Sequence, residues 1–484
     1  MQCNLIIKDQ VNVKFEGLDL STRKTLINKF KYDIPGARYL PAVRLGRWDG
    51  KASFFQLSGA TYMNLLPEIL EYLDSAGYDI ELTDERPPCS QMTFTPITEN
   101  TFAHKVWPKN HPAAGQPVLL RDYQVTIVNN FLENTQCLQE IATGAGKTLM
   151  TATLSLCVEP YGRSVVIVPN KSLVTQTEED YVNLGLDVGV YFGDRKDFGK
   201  KHTICTWQSL NNMLKNTRSG EADVTIQDFL EDVVCVMVDE VHMAKAAALK
   251  DLLTGPMANI PIRWGLTGTV PKDPYEFNSI MVSLGNVVGR LAASDLQDQG
   301  VLAQCHVSVM QLEDHAEYQS YQTELKYLLE NPDRLAFIAK TIAGIREMGN
   351  TLVLVDRIGA GKALVDLIED ATFVSGITKG ADRKEQYDDV AVSDNKVIIA
   401  TYGVAAVGIN VPRIFNLVLI EPGKSFVRVI QSIGRGIRKA EDKDFVQIWD
   451  ITSTCKFAKR HLTKRKQFYK DAKYKHSVTK VEWK

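Results

Sequence analysis

Nowhere in the 484 residues does an uninterrupted apolar run approach the length of about 20 that a membrane-spanning helix needs. The opening residues Met1-Gln2-Cys3-Asn4 carry no basic-then-apolar leader either. The expectation is therefore an intracellular, cytoplasmic protein with no membrane partner. Cysteine is scarce and scattered: eight residues, no C-x-x-C pair and no His at metal-ligand spacing. A disulfide framework and a structural zinc site are both excluded as expectations, and the thiols should be reduced and mostly buried in strands. Short-period repeats and low-complexity segments are lacking. So is an excess of one charge, with 56 Lys and Arg against 58 Asp and Glu for a net charge of −2.

That balance looks unsuited to a polyanion binder, but a sum hides distribution. Residues 456–484 hold eleven Lys or Arg against Asp471 and Glu482 alone, an excess of nine positive charges. The preceding 455 residues are left at about −11. Interleaved with these cations are Phe457, Phe468, Tyr469, Tyr474 and Trp483. Two readings fit: positive potential concentrated where phosphates approach, or a solvated, partly disordered terminus.

With 44% hydrophobic and 24% charged residues the composition is that of a soluble globular protein, and the length suggests about three domains. Residues 1–110 read as a small α+β module. Val11, Val13 and Phe15 alternate as in a strand, Ser21 can cap a following helix, and a second helix over about 62–76 groups Leu65, Leu66, Ile69, Leu70 and Leu73 before stopping at Gly77. Pro108 to Pro117, with Asn110, His111, Pro112 and Gly115, reads as a linker. Beyond it, apolar strand-like runs alternate with helical patterns over 111–300 (Ser164–Val168, Thr203–Thr206, Val233–Val238). The alternation restarts over 301–455 (Thr351–Val355, Val397–Ala400, Leu417–Ile420, Val446–Trp449). Such runs read as buried parallel strands, so the expected fold class is α/β, two tandem parallel-sheet lobes followed by a basic tail over 456–484.

Chemistry enters at Ala142-Thr143-Gly144-Ala145-Gly146-Lys147-Thr148, which follows the apolar run Leu138–Ile141 and precedes a helical run. A phosphate-binding loop requires that context: glycines let backbone N–H groups turn around phosphates, Lys147 adds a point charge, and the Thr148 hydroxyl can hold Mg²⁺. Ile141 stands where the general pattern has Gly, which leaves the phosphate-proximal glycines intact. Ninety-two positions after Lys147, the apolar run Val236-Met237-Val238 ends in Asp239-Glu240. Asp239 is placed to bind the metal, directly or through water, and Glu240 to orient or deprotonate an attacking water. An acidic pair after a strand is by itself often a solvated turn; the loop upstream reverses that weighting. The expected cofactors are ATP and Mg²⁺.

Asp239-Glu240-Val241-His242 resembles the D-E-x-H box of superfamily 2 helicases, and further motifs follow in order over about 118–455. The resemblance implies two RecA-like lobes. It implies adenine contact by Gln124 with Arg121 nearby, and coupling of the ATP and nucleic-acid sites through Gly265-Leu266-Thr267-Gly268-Thr269, in which Gly268 replaces the usual Ala. Gln431-Ser432-Ile433-Gly434-Arg435-Gly436-Ile437-Arg438 is similar to the motif that supplies arginine fingers. At i, i+4 and i+7, Gln431, Arg435 and Arg438 share one helical face, and Arg435 and Arg438 would meet charge developing on the γ-phosphate. Gly408 would sit near ATP. Asn170, Lys171, Thr206, Gln208 and Thr401 would hold the nucleic-acid backbone, without reading bases. Trp207 reads as packing. Gly46-Arg47-Trp48-Asp49-Gly50-Lys51 and Thr206-Trp207-Gln208 are similar to segments of the bacteriophage UvsW-like recombination and repair helicases. That resemblance places a phage-encoded chain in its host's cytoplasm.

Arg44, Arg47, Trp48 and Lys51 could grip a backbone beside a stacking aromatic, or form a structural turn with Trp48 in the core. The expected activity is ATP-dependent unwinding or branch migration of forks, junctions, D-loops or R-loops, by a monomer whose partner is DNA. Rival readings are an RNA helicase or restriction-complex motor sharing the core motifs, and a non-catalytic nucleic-acid-binding scaffold, against which the intact Lys147, Asp239, Glu240, Arg435 and Arg438 speak.

Overall fold

In a computed structural model of the chain, the described residues are 1–87, 92–109, 113–243, 246–375, 390, 393–404, 413–425, 429, 432–434 and 442–483. The chain divides into two compact units: residues 1–141 with 146–290, and residues 142–145 with 291–484.

In the first unit an eight-stranded sheet runs, in spatial order, Arg195–Lys196, Val188–Phe192, His202–Thr206, Arg163–Val168, Val233–Asp239, Ile262–Thr267, Gln136–Ile141 and Val287–Leu291. The five strands from His202–Thr206 to Gln136–Ile141 pair in parallel. Their near-continuous apolar sequences follow from burial on both faces. Val165, Ile167, Val236, Val238, Leu210 and Phe229 are all at most 1% exposed in one core. Helices return the chain between parallel strands, so the C-terminal ends of these five strands share one edge, where ligands of open α/β sheets bind.

The N-terminal module is a four-stranded sheet ordered Ala60–Tyr62, Asn12–Glu16, Gln2–Ile7, Asp79–Asp84, with a short pair Lys31–Asp33 and Lys51–Ser53. Val13, Phe15, Leu26, Phe30, Ile69 and Leu73 form its core, and the same cluster takes in Tyr275, Met281 and Val282 from the helix Pro274–Leu284. Asn12 Nδ2 donates to Thr254 O at 2.8 Å and Asn64 Nδ2 to Met281 O at 3.0 Å, so polar contacts seal the seam. The first helix, Leu20–Lys29, starts one cap earlier than Ser21 suggests. Asp19 accepts from Thr22 N at 2.8 Å and also from the Ser21 hydroxyl, because a carboxylate is the stronger acceptor beside a helix N-terminus. The second apolar helix spans Leu66–Ser75 and ends at Gly77, whose φ of +74° is the left-handed conformation glycine accepts. Part of the 108–117 stretch lies outside the described residues; the rest folds back on itself through a bridge between Val106 and Pro117.

The second unit holds a seven-stranded sheet ordered Ala371–Val374, Val397–Thr401, Thr351–Val355, Asn416–Ile420, Phe445–Ser453, Gln304–Leu312, Lys475–Val481. Its strand pairs are parallel. The basic segment is ordered rather than a solvated terminus: Lys456–Asp471 is a helix and Lys475–Val481 an edge strand. Buried charge holds it there. Arg465 donates to Asp450 through Nε and Nη2, at 2.8 and 2.9 Å, and Tyr469 donates its hydroxyl to the same carboxylate at 2.8 Å. A second cluster joins Arg334 to Asp314 at 3.3 Å and Glu421 at 2.8 Å.

Described cysteines are all free, and Cys3, Cys137, Cys205, Cys235 and Cys305 lie buried in strands. No helix among the described residues is long and apolar enough to cross a membrane.

Arg465→Met should lower the stability of the second unit by about 3–5 kcal/mol, because it strands the Asp450 charge in an apolar interior. The paired change Arg465→Met with Asp450→Leu should recover most of that loss. Urea unfolding midpoints check both; a single variant within about 1 kcal/mol of the parent would contradict the assigned role.

Candidate functional site

At the shared edge of the first sheet, the strand Gln136–Ile141 runs into the glycine loop and then into the helix Lys147–Val158. Gly144 and Gly146 have φ of +92° and +82°, so the loop reverses direction with backbone that side-chain-bearing residues rarely adopt. At Gly146 space is a second constraint, since a Cβ there would fall 2.6 Å from Gln124 Nε2. Gln124 is buried, and its side-chain oxygen accepts from Arg121 N at 2.9 Å, fixing the amide with its NH₂ end toward the loop. Arg121 in turn donates to the Tyr123 hydroxyl at 3.0 Å. Helix start and glycine loop are thereby locked together, with Gln124 and Gly146 at the point of contact.

Lys147 is 9% exposed and reaches two oxygens, Glu240 Oε1 at 2.9 Å and Ile141 O at 3.3 Å. Glu240 lies one residue past the strand Val233–Asp239 with φ of +49°, a left-handed conformation unusual for a side-chain-bearing residue. That turn carries the carboxylate back over the sheet end, where Gly268 N donates to Oε2 at 3.2 Å. Burial by itself would raise the Glu240 carboxyl. The Lys147 ammonium, His242 and the bonds from Lys147 and Gly268 overcome it and hold the group well below the usual carboxylate range. Asp239 is less buried, and its Oδ1 accepts from Glu240 N at 2.8 Å.

His242 and Thr267 extend the arrangement. The Thr267 hydroxyl donates to Thr269 O at 2.8 Å, which uses its one proton; His242 Nδ1, 2.6 Å away, must then donate to Thr267 Oγ1. Hydrogen bonds thus join Lys147, Glu240 and Gly268 on one side and His242 and Thr267 on the other, with His242 Nδ1 3.7 Å from Glu240 Oε2. Composition and spacing placed Lys147, Asp239 and Glu240 among the candidate residues but left out His242, Thr267 and Gly268. The signal for them was present in two strand-ending motifs, Asp239-Glu240-Val241-His242 and Gly265 to Thr269, that become neighbours when Val233–Asp239 and Ile262–Thr267 pair.

Other residues expected at the site divide by location. Asn170 and Thr206 cap the helices Lys171–Asn183 and Trp207–Ser219, accepting from Leu173 N at 3.1 Å and Ser209 N at 3.3 Å. Their strands are adjacent, and Gln208 Nε2 donates across to Pro169 O at 3.4 Å. Lys171 and Gln208 are exposed, whereas Trp207 packs against the core. Thr401 ends the strand Val397–Thr401 in the second unit. Gly408, Gln431, Arg435 and Arg438 lie outside the described residues. Arg44, Arg47 and Lys51 are exposed, and Trp48 is outside the N-terminal core, its indole N–H donating to Lys51 O at 3.0 Å. Lys51 N donates to Asp49 Oδ1 at 3.1 Å, so the segment is a bonded turn with Trp48 half-buried outside that core.

Among the described residues no group of three or more His, Cys, Asp or Glu could hold a metal by itself. Thr148 and Asp239, at the helix start and the strand end, carry the oxygen donors that a Mg²⁺ arriving with phosphates and waters would take.

Two α/β units built on parallel strands, a glycine loop entering a helix, and an acid-ended strand answering its lysine together make a fold of the RecA-like helicase kind. Residues 118–272 match the family described as the res subunit of type III restriction enzymes. Over 485 aligned residues the chain is 24% identical to the ATP-dependent DNA helicase UvsW of Enterobacteria phage T4, covering 96% of this chain and 93% of that protein. Solved structures share the fold. The type ISP restriction-modification enzyme LlaBIII bound to DNA matches with a TM-score of 0.57 at 16% identity, covering 78% of this chain and 32% of that one. The Mycobacterium smegmatis helicase Lhr, bound to single-stranded DNA and AMP-PNP, matches with a TM-score of 0.52 at 19% identity, covering 73% and 48%.

The depressed Glu240 carboxyl has a pH consequence. Its folded pKa lies below the ordinary value of 4.5, so its contribution to stability is complete above that value and is lost as pH falls through the folded one. Between about pH 5 and about pH 3, the melting temperature of the parent should therefore fall more steeply than that of Glu240→Gln. Scanning calorimetry checks this, and parallel slopes would refute the assigned environment.

Proposed function

We propose that the chain is an ATP-dependent DNA helicase or translocase that unwinds or branch-migrates forks, four-way junctions, D-loops or R-loops in recombination, repair and replication. The observation that carries this reading is the buried Lys147–Glu240 pair at the glycine loop, because it poises both charges a nucleoside triphosphate needs. Without nucleotide, Glu240 is the carboxylate that the buried Lys147 side chain reaches. With triphosphate in the loop, the phosphates take Lys147, and the freed carboxylate orients or deprotonates the attacking water. Thr148 and Asp239 would hold Mg²⁺, which would neutralise phosphate charge. Thr143, Gly144, Ala145 and Gly146 offer backbone N–H groups to the phosphates, and Gln124 with Arg121 faces the adenine. Arg435 and Arg438 meet the charge that develops on the γ-phosphate, with Gln431 and Gly408 beside the nucleotide.

Nucleic acid is held by its backbone in this reading. Asn170 and Thr206 start two helices at neighbouring strand ends, so their N-terminal N–H groups and the exposed Lys171 and Gln208 suit phosphates. Thr401 serves likewise in the second lobe. Arg47 and Lys51, exposed on the N-terminal module, and the half-buried Trp48 between them contact the branched portion of the substrate. DNA rather than RNA is favoured by the similarity, over nearly the whole chain, to a protein named as a DNA helicase.

Lys147→Ala should reduce DNA-stimulated ATP turnover on the order of 100-fold or more, since it removes the charge nearest the transferring phosphoryl group. A coupled phosphate-release assay with forked DNA, four-way junctions, R-loops and duplex RNA tests enzyme and substrate class together; absence of turnover with every nucleic acid would favour the scaffold reading. The double change Arg47→Ala with Lys51→Ala should weaken forked-DNA binding more than it slows ATP turnover. Gel-shift titrations that show equal binding for parent and variant would refute the assigned contact.

A further inference from the structure

The helix Lys456–Asp471 sorts its seven cations by face. Ala458, Leu462, Arg465 and Tyr469 point inward and are at most 5% exposed, and Arg465 is matched by Asp450. Lys456, Lys459, Arg460, Lys464, Lys466 and Lys470 occupy the opposite face, and all six are exposed. None of the six forms an ion pair among the described residues. Three pairs, Lys456 with Arg460, Arg460 with Lys464 and Lys466 with Lys470, stand at i, i+4, where like charges destabilise a helix. A solvated surface helix ordinarily intersperses acids at such positions; here Asp471, in the final position, is the sole acid.

This repulsive face is held rigid. Glu324 accepts from Phe457 N at 3.0 Å and Ala458 N at 2.7 Å, capping the helix start from a neighbouring helix, and the Asp450 contacts pin the middle. Lys456 to Lys470 spans about 21 Å at 1.5 Å per residue. One strand of a duplex presents a phosphate roughly every 3.4 Å of axis, so about six phosphates lie along that length, one for each exposed cation. The region has an excess of nine positive charges in a chain of net −2, so the positive surface is local.

We propose that the outer face of the helix Lys456–Asp471 is a DNA-backbone contact, separate from the residues assigned to the motor motifs, that holds a duplex arm by about six phosphates without reading its sequence. The proposal rests on the DNA-helicase reading for its choice of polyanion. It places a second grip on the lobe distal in sequence to the N-terminal module, so that the substrate is retained when the motor contacts release.

The test uses the full chain, labelled forked DNA and no nucleotide, with binding followed by fluorescence anisotropy over a sodium chloride series. Replacing Lys459, Arg460 and Lys464 together by Gln should make the slope of log affinity against log salt shallower by about 2–3, at roughly 0.9 per lost phosphate contact. The charge-conserving change Lys459→Arg with Lys464→Arg should keep the parental slope, and maximal ATP turnover at saturating DNA should be unchanged in both. An unchanged slope in the Gln variant overturns the proposal and leaves the face to an acidic protein segment. Equal loss in the Arg variant also overturns it, since charge would then not be the cause. Because the slope is read without ATP, failure of the motor reading shows separately, as a parent that binds forked DNA but turns over no nucleotide.

Discussion

Lys147 and Glu240 stand 2.9 Å apart with about a tenth of each side chain exposed, and their burial is tolerable because they lie together. Removing an ammonium or a carboxylate from water costs several kcal/mol per ion, which only close pairing and further hydrogen bonds offset. Much of the local backbone follows from meeting that condition. The glycine loop turns in the left-handed region so that Lys147 begins its helix under the strand ends; Glu240 adopts φ of +49° to turn back toward it; Gly268 lends an N–H. A pair held this way is a stable resting arrangement, and in the proposed function also a loaded one, because a triphosphate would offer Lys147 a better partner and free Glu240.

How much of this could be read in advance depended on whether a signal was local. The parallel strands were legible because burial on both faces leaves an apolar run that a chain cannot disguise, and the loop because its glycines answer steric demands within five residues. Lys147, Asp239 and Glu240 sit where those runs end. His242 and Thr267 were not singled out, although their motifs were noticed, because their contact exists only once two strands 25 residues apart are placed side by side. The N-terminal helix cap was misplaced by two residues, since Asp19 and Ser21 are both good caps and only the folded geometry shows which oxygen reaches Thr22 N.

Long-range packing was the least visible layer. Nothing near Phe54 or Ile69 in sequence announces that Tyr275 and Met281 complete their core. The basic segment illustrates the same limit from the other side. Its charge count was plain, but whether it is ordered turns on Asp450 and Glu324, carboxylates 15 residues behind one cation and more than 130 before the helix start. The second unit also repeats a detail of the first: Glu421, immediately after the strand Asn416–Ile420, has φ of +43° and pairs with a buried cation, Arg334. A strand-ending glutamate in the left-handed region is thus a shared local solution for bringing a carboxylate back over a sheet edge.

The strand Gln304–Leu312 lies between Phe445–Ser453 and Lys475–Val481, partners that follow it by about 140 and 170 residues. Contacts so distant in sequence are slow to close, because the intervening chain must surrender its freedom first. During synthesis at roughly 5–20 residues per second, that strand emerges and then waits on the order of ten seconds or more with both flanks open. The first unit, which ends at residue 290, is by then fully translated and can fold around its own core. Vectorial production therefore imposes an order on the molecule: the half bearing Lys147 can mature early, whereas the other half cannot complete its sheet until the strand Lys475–Val481 leaves the ribosome.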